Sequence, residues 1–78
     1  MSITVYTLPQ CSQCEQTKRF FNKNSIEYSV VDISKDEDAR KTVTDMGFSS
    51  APIVVTDHDR WSGFRLEKLN KTVESYAS

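Results

Sequence analysis

The 78-residue chain has only two cysteines, Cys11 and Cys14, and a single histidine, His58. A bridge across two intervening residues removes little entropy from the unfolded chain, so the pair cannot brace the fold. A disulfide scaffold is excluded. A structural zinc site within one chain is excluded too, because it wants four ligands. Charge is also lacking in either sign: ten Lys and Arg stand against eleven Asp and Glu, with no basic run and no acidic tail. Neither nucleic acid nor a membrane surface is implied as a partner. No segment approaches the ~18 apolar residues of a membrane span, and Met1 to Val5 has no basic region leading into a long apolar stretch. The expectation is a cytoplasmic protein, in a compartment where neighbouring thiols are ordinarily reduced and disulfides are transient. With no repeat, low-complexity tract or linker, residues 1–78 are expected to form one domain with a small core and little stability to spare.

What is present is an alternation of strand and helix signals. Ile3-Thr4-Val5-Tyr6-Thr7 alternates apolar and polar residues and stops at Pro9, as a strand does. From Cys11 the period becomes helical. Glu15, Gln16, Lys18 and Arg19 face water, while Cys14, Phe20, Phe21 and the stem of Lys18 share the inner side, and Asn22 to Ser25 end the run. Glu27 to Ile33 predicts a second strand. Ser34-Lys35-Asp36-Glu37 has the form of a capping box with Ser34 as the cap, opening a helix through Ala39, Val43 and Met46 that Gly47 closes. Ile53-Val54-Val55 predicts a short strand, Asp57-His58-Asp59 a polar turn, and Arg60-Trp61-Ser62 the returning strand, punctuated by Gly63. Glu67, Leu69, Val73 and Tyr76 recur along a last helix whose outer face carries Lys68, Lys71 and Glu74. The order β-α-β-α-β-β-α predicts an α/β protein, a mixed four-stranded sheet flanked by three helices. Crossovers set the first strands parallel and the short turn sets the last pair antiparallel. That is the thioredoxin fold.

On the first helix the cysteines are three residues apart, with Cβ atoms ~5–6 Å from one another, which slight adjustment brings to the ~3.5–4.5 Å of a disulfide. Such a pair opens and closes with little backbone movement. Cys11 lies at the amino end, where free amides and the helix dipole favour an anion, so it is expected to be the attacking thiolate. Cys14, one turn inside, is expected to be the resolving thiol. Glu15 opposes this with a like charge worth ~0.2–0.5 kcal/mol at that spacing. The helix terminus contributes ~0.3–1 and up to ~2 kcal/mol, so the thiolate still wins. The C-x-x-C pattern is also a zinc half-site, but His58 sits in a solvated turn between two aspartates, which leaves a metal or iron–sulfur module only between two chains. Pro9 reads as a turn residue before the helix. Pro52 stands at the entrance to a strand, where a cis bond suits a fold whose site lies at strand ends.

Three stretches, "YTLPQCSQC", "SAPIVV" and "WSGFR", in this order and near the expected separation, resemble the NrdH-redoxins, small glutaredoxin-like proteins with thioredoxin-like activity. The resemblance spans essentially the whole chain. It implies a dithiol–disulfide electron carrier that accepts electrons from thioredoxin reductase, and through it from NADPH, and reduces protein disulfides, chiefly those of class Ib ribonucleotide reductase of the NrdEF type. A monomer is expected, with no cofactor beyond the redox-active disulfide of Cys11 and Cys14, which match the family's active cysteines. Pro52 matches its cis-proline, with Ala51 supplying backbone beside a bound partner. Pro9, Gln10, Ser12 and Gln13 around the cysteines, and Trp61, Ser62, Gly63, Phe64 and Arg65, are the expected partner-binding residues. Packing alone would also account for Trp61 and Phe64, since buried aromatics are common. Leu8 departs from the lysine many relatives carry, and Leu66 from a proline. A glutathione-dependent glutaredoxin is the alternative. Against it, Leu8 replaces a cation and Arg65 lies where an acidic residue would pair with glutathione's ammonium group, so protein partners are expected over glutathione.

Overall fold

Period-two burial carries the first strand, β1 (Thr4–Thr7), in which Val5 and Thr7 are buried and Thr4 and Tyr6 partly covered. The remaining elements of the computed structural model, which describes residues 2–77, are α1 (Ser12–Lys23), β2 (Ser29–Asp32), α2 (Glu37–Asp45), β3 (Ile53–Val55), β4 (Arg60–Ser62) and α3 (Leu66–Ala77). The four strands form one mixed sheet in the order β2-β1-β3-β4. This is the expected thioredoxin fold, with one correction of topology. β1 pairs parallel with β2 but antiparallel with β3, with Val5 opposite Val54 and Tyr6 opposite Ile53, so only the β1-α1-β2 connection is a parallel crossover. β3 and β4 form the expected hairpin.

Alternation on β1 and β3 sends side chains to two cores. Val5, Val54 and Trp61 lie with Ile3 on one face of the sheet beneath Phe21 of α1 and Leu69 of α3. Ile53 lies on the other face with Ile33 and Val43 of α2, and Tyr6 and Phe48 pack at its margin. Gly47, at φ 90°, closes α2 as expected: the N–H of Phe48 bonds to the carbonyl of Val43 and that of Gly47 to the carbonyl of Thr44, a Schellman closure.

Three local expectations are corrected. Asp36, not Ser34, caps α2, its Oδ1 accepting the Ala39 N–H at 3.0 Å. Ser34 is held back toward β2 because its hydroxyl and backbone N–H both donate to Asp32. β2 is shorter than Glu27–Ile33, and Val30 is 48% exposed because this is an edge strand. On the helices, buried threonines share the inner faces: Thr17 with Cys14 and Phe21 on α1, and Thr72 with Leu69 on α3, whereas Glu67 points to water.

Candidate functional site

The dithiol stands at the carboxyl end of β1, where Leu8 to Gln10 turn the chain into α1. Gln10 takes a positive φ of 58°, and Cys11, extended at φ −109°, is the N-cap of the helix. Its Sγ accepts the backbone N–H of Cys14 at 3.1 Å, and its carbonyl accepts that of Glu15. Cys11 and Cys14 are joined as a disulfide, with Cα atoms 5.2 Å apart. Their burial differs. Cys11 is partly exposed and Cys14 is 1% exposed, so solvent and partners reach the first sulfur and not the second.

Beside Cys11 runs a groove of about 530 Å³, walled by Thr7, Leu8 and Pro9 and carrying the charges of Glu15, Lys18 and Asp32. Lys18 forms an ion pair with Glu15 at 2.6 Å, so the acidic residue that opposes a Cys11 thiolate is partly offset by its neighbour one turn on. Asp32 is held below the ordinary carboxylate range by hydrogen bonds from the Ser34 hydroxyl and then the Ser34 amide, with the Lys35 charge adding to them.

A second wall comes from the loop before β3 and the segment after β4. The Ala51–Pro52 bond is cis, as expected for Pro52. The Gly63 N–H donates to the Pro52 carbonyl at 2.7 Å, and the Ser62 hydroxyl to the Ser50 carbonyl at 2.5 Å. Gln13 joins this wall to the cysteine helix, its Oε1 accepting the Phe64 N–H at 3.2 Å. Gly63 has φ 89°, a backbone turn that side-chain-bearing residues rarely adopt.

The structure thus gathers Cys11, Gln13, Pro52, Gly63 and Phe64 into one connected arrangement. Pro9, Gln10, Ser12 and Gln13 are exposed around it, and Ala51, Ser62 and Phe64 are partly covered. Arg65 is exposed and paired with Glu67 at 2.7 Å. Trp61 is the exception. At 3% exposure it lies in the core, so it supports the wall from beneath and offers no surface of its own. The Asp57–Asp59 turn with His58 lies at the opposite end of the sheet, beyond the Thr4–Val55 pairing. Among the described residues no three His, Cys, Asp or Glu side chains gather as a metal site, and no helix is long and apolar enough to cross a membrane.

The residues missed from the sequence are Thr7, Lys18 as Glu15's partner, and Asp32. Thr7 was legible, since alternation puts it on the inner side with Val5, and Lys18 follows Glu15 at i,i+3. Asp32 comes to the groove only through its pairing opposite Thr7.

A capped, partly exposed cysteine bonded to a buried one, at the same end of a mixed β2-β1-β3-β4 sheet as a cis-proline loop, defines a thioredoxin-fold thiol–disulfide redox protein. A family model described as Glutaredoxin matches residues 3–61. The chain belongs to the glutaredoxin family, among its NrdH-type glutaredoxin-like proteins. It is 38% identical over 71 residues to the glutaredoxin-like protein NrdH of Salmonella typhimurium, covering 91% of this chain and 88% of that one. The solved structure of the glutaredoxin-like protein NrdH-redoxin from Escherichia coli, described with a thioredoxin-like activity profile, superposes with a TM-score of 0.88 at 31% identity, over 91% of this chain and 93% of that one. A glutaredoxin from Archaeoglobus fulgidus aligns with a TM-score of 0.74 at 26% identity, over 90% and 83% of the two chains.

Proposed function

We propose that this chain carries electron pairs from thioredoxin reductase to protein disulfides, chiefly that of class Ib ribonucleotide reductase. The observation that carries the reading is the asymmetry of the pair: Cys11 Sγ at the capped helix start, accepting an N–H, and Cys14 buried one turn inside. In the reduced state the Cys11 thiolate attacks one sulfur of the partner's disulfide, forming a mixed disulfide and releasing the other sulfur as a thiolate. That thiolate takes up the Cys14 proton. The Cys14 sulfur then attacks Cys11, releasing the partner's second sulfur as a thiolate that is protonated from solvent. The partner gains two electrons and two protons, and the carrier is left as the Cys11–Cys14 disulfide. NADPH, through the flavoprotein reductase, returns two electrons.

Protein partners are favoured over glutathione by the charges at the site. Leu8 supplies no cation, and Lys18 and Arg65 are already engaged by Glu15 and Glu67, which weakens their hold on glutathione's carboxylates. The test couples NADPH oxidation by thioredoxin reductase to insulin reduction, and separately to deoxyribonucleotide formation by an NrdEF reductase. Both are expected to depend on this chain. Turnover with glutathione and glutathione reductase alone would overturn the reading in favour of a glutathione-dependent glutaredoxin.

A further inference from the structure

Gln13 lies between the two cysteines, at the second position of α1, where the sequence suggests a partner contact. Its side chain is used within the chain instead, accepting the N–H of Phe64, 51 residues away. A backbone N–H can only donate, so the carboxamide oxygen faces Phe64 and the NH₂ end faces away. Gln13 is held at its backbone as well, because the fully buried Thr17 hydroxyl donates to its carbonyl at 2.9 Å.

Among the described residues, this is the only hydrogen bond between α1 and the segment 62–65. That segment is tied on its other side to the cis-proline loop, through Gly63 to Pro52 and Ser62 to Ser50. The two outer pieces of the site are therefore fixed to each other by their own bonds, and to the cysteine helix by one hydrogen bond besides the packing of Phe64 on the core that holds Phe21. A Cβ on Gly63 would lie 3.7 Å from Gln13 Oε1, an ordinary contact, so the loop and α1 are not sterically jammed at this point.

We propose that Gln13 is a positioning residue whose carboxamide clamps the Phe64 amide, keeping the wall from Gly63 to Arg65 aligned with the Cys11 sulfur as a protein disulfide docks. The inference rests on reading the chain as a carrier for protein disulfides. Gln13 does no bond-making. Its effect falls on docking, so it is read in KM for the protein substrate and not in the exchange step.

Two variants separate the clamp from charge and from folding. Gln13→Leu keeps the side chain's bulk and removes the acceptor, whereas Gln13→Glu keeps an acceptor and adds a charge near Cys11. In reductase-coupled insulin reduction, Gln13→Leu should raise KM about three- to tenfold, the equivalent of one net hydrogen bond at ~1.4 kcal/mol per decade, with kcat little changed. Phe64 amide exchange should quicken while the melting temperature stays within a few degrees of wild type. Gln13→Glu should restore slow Phe64 exchange and wild-type KM, and move the alkylation profile of Cys11 to higher pH. Rapid Phe64 exchange in Gln13→Leu with unchanged KM overturns the proposal, and so does a fall in kcat that tracks lost stability. If wild type turns over only with glutathione, the functional reading has failed on its own. The same variants are then compared in that assay, where an unchanged KM overturns the clamp separately.

Discussion

The backbone N–H of Cys14 donates to the Sγ of Cys11 across 3.1 Å, so the residue whose sulfur is hidden supplies a donor to the sulfur that is reachable. On reduction the same N–H is placed to hold a Cys11 thiolate, adding a charge-assisted bond to the helix terminus. Cys14→Ser should therefore accumulate a mixed disulfide between Cys11 and the partner, seen as a reductant-sensitive adduct on a non-reducing gel, and lose dithiol turnover. Cys11→Ser should form no adduct. Adducts formed by Cys11→Ser, with turnover kept in Cys14→Ser, would reverse the assignment.

Leu8, 38% exposed, lines the same groove as Cys11, and the one lysine in that groove is already paired with Glu15. Leu8→Lys places an unpaired ammonium there. The alkylation midpoint of Cys11 should fall by roughly 0.5–1 pH unit, since two charges ~4 Å apart attract by ~1 kcal/mol even in water. Glutathione-coupled turnover should rise with it. An unmoved midpoint would place position 8 too far from the sulfur to matter.

Much of this site was legible because it is local. The start of α1 at Cys11 and the contrast between its two sulfurs follow from period and helix-end chemistry over a dozen residues. The cap of α2 was misassigned because Ser34 and Asp36 are equally good cap residues, and the choice falls to Asp32, which draws Ser34 away. Thr17 reads as polar, yet it is buried because its hydroxyl is satisfied within its own helix by the Gln13 carbonyl. The Gln13–Phe64 bond and the reversal of β3 depend on residues brought together only by the sheet, and no spacing along the chain announces them.

Trp61 is a wall residue in the sequence and a core residue in the structure, 3% exposed opposite Val54, with an indole Nε1 that finds no acceptor among the described residues. Trp61→Phe keeps an aromatic ring in the cluster and removes that N–H, so the lost area and the relieved donor offset to within about 1 kcal/mol. Trp61→Ala should cost about 3–5 kcal/mol, a large part of the roughly 4–12 kcal/mol expected for a chain this size. Denaturant melts measure both. Reductase-coupled turnover should survive Trp61→Phe, and its loss at unchanged stability would make the indole a direct partner contact.

Lys68 bonds Asp59 at 2.9 Å, fastening α3 to the turn between β3 and β4. The Lys68 hydrogen bond, then that from the Arg60 amide, and the charges of Lys68 and Lys71 hold the Asp59 carboxyl below its ordinary 3.8, against a smaller opposing effect of burial. A depressed carboxylate contributes its full stability above the unfolded value and loses it as pH falls through the lower folded value. Both side chains are partly exposed, so the pair should contribute less than about 1 kcal/mol and weaken with salt. Asp59→Asn should therefore be slightly less stable than wild type at neutral pH, and the gap should close as pH drops below 3.8. Urea melts across that window, at low and high salt, measure the gap. A gap that closes in acid but ignores salt would mean that Asp59 stabilises the turn through its bond to the Arg60 amide, with no part played by the charge of Lys68.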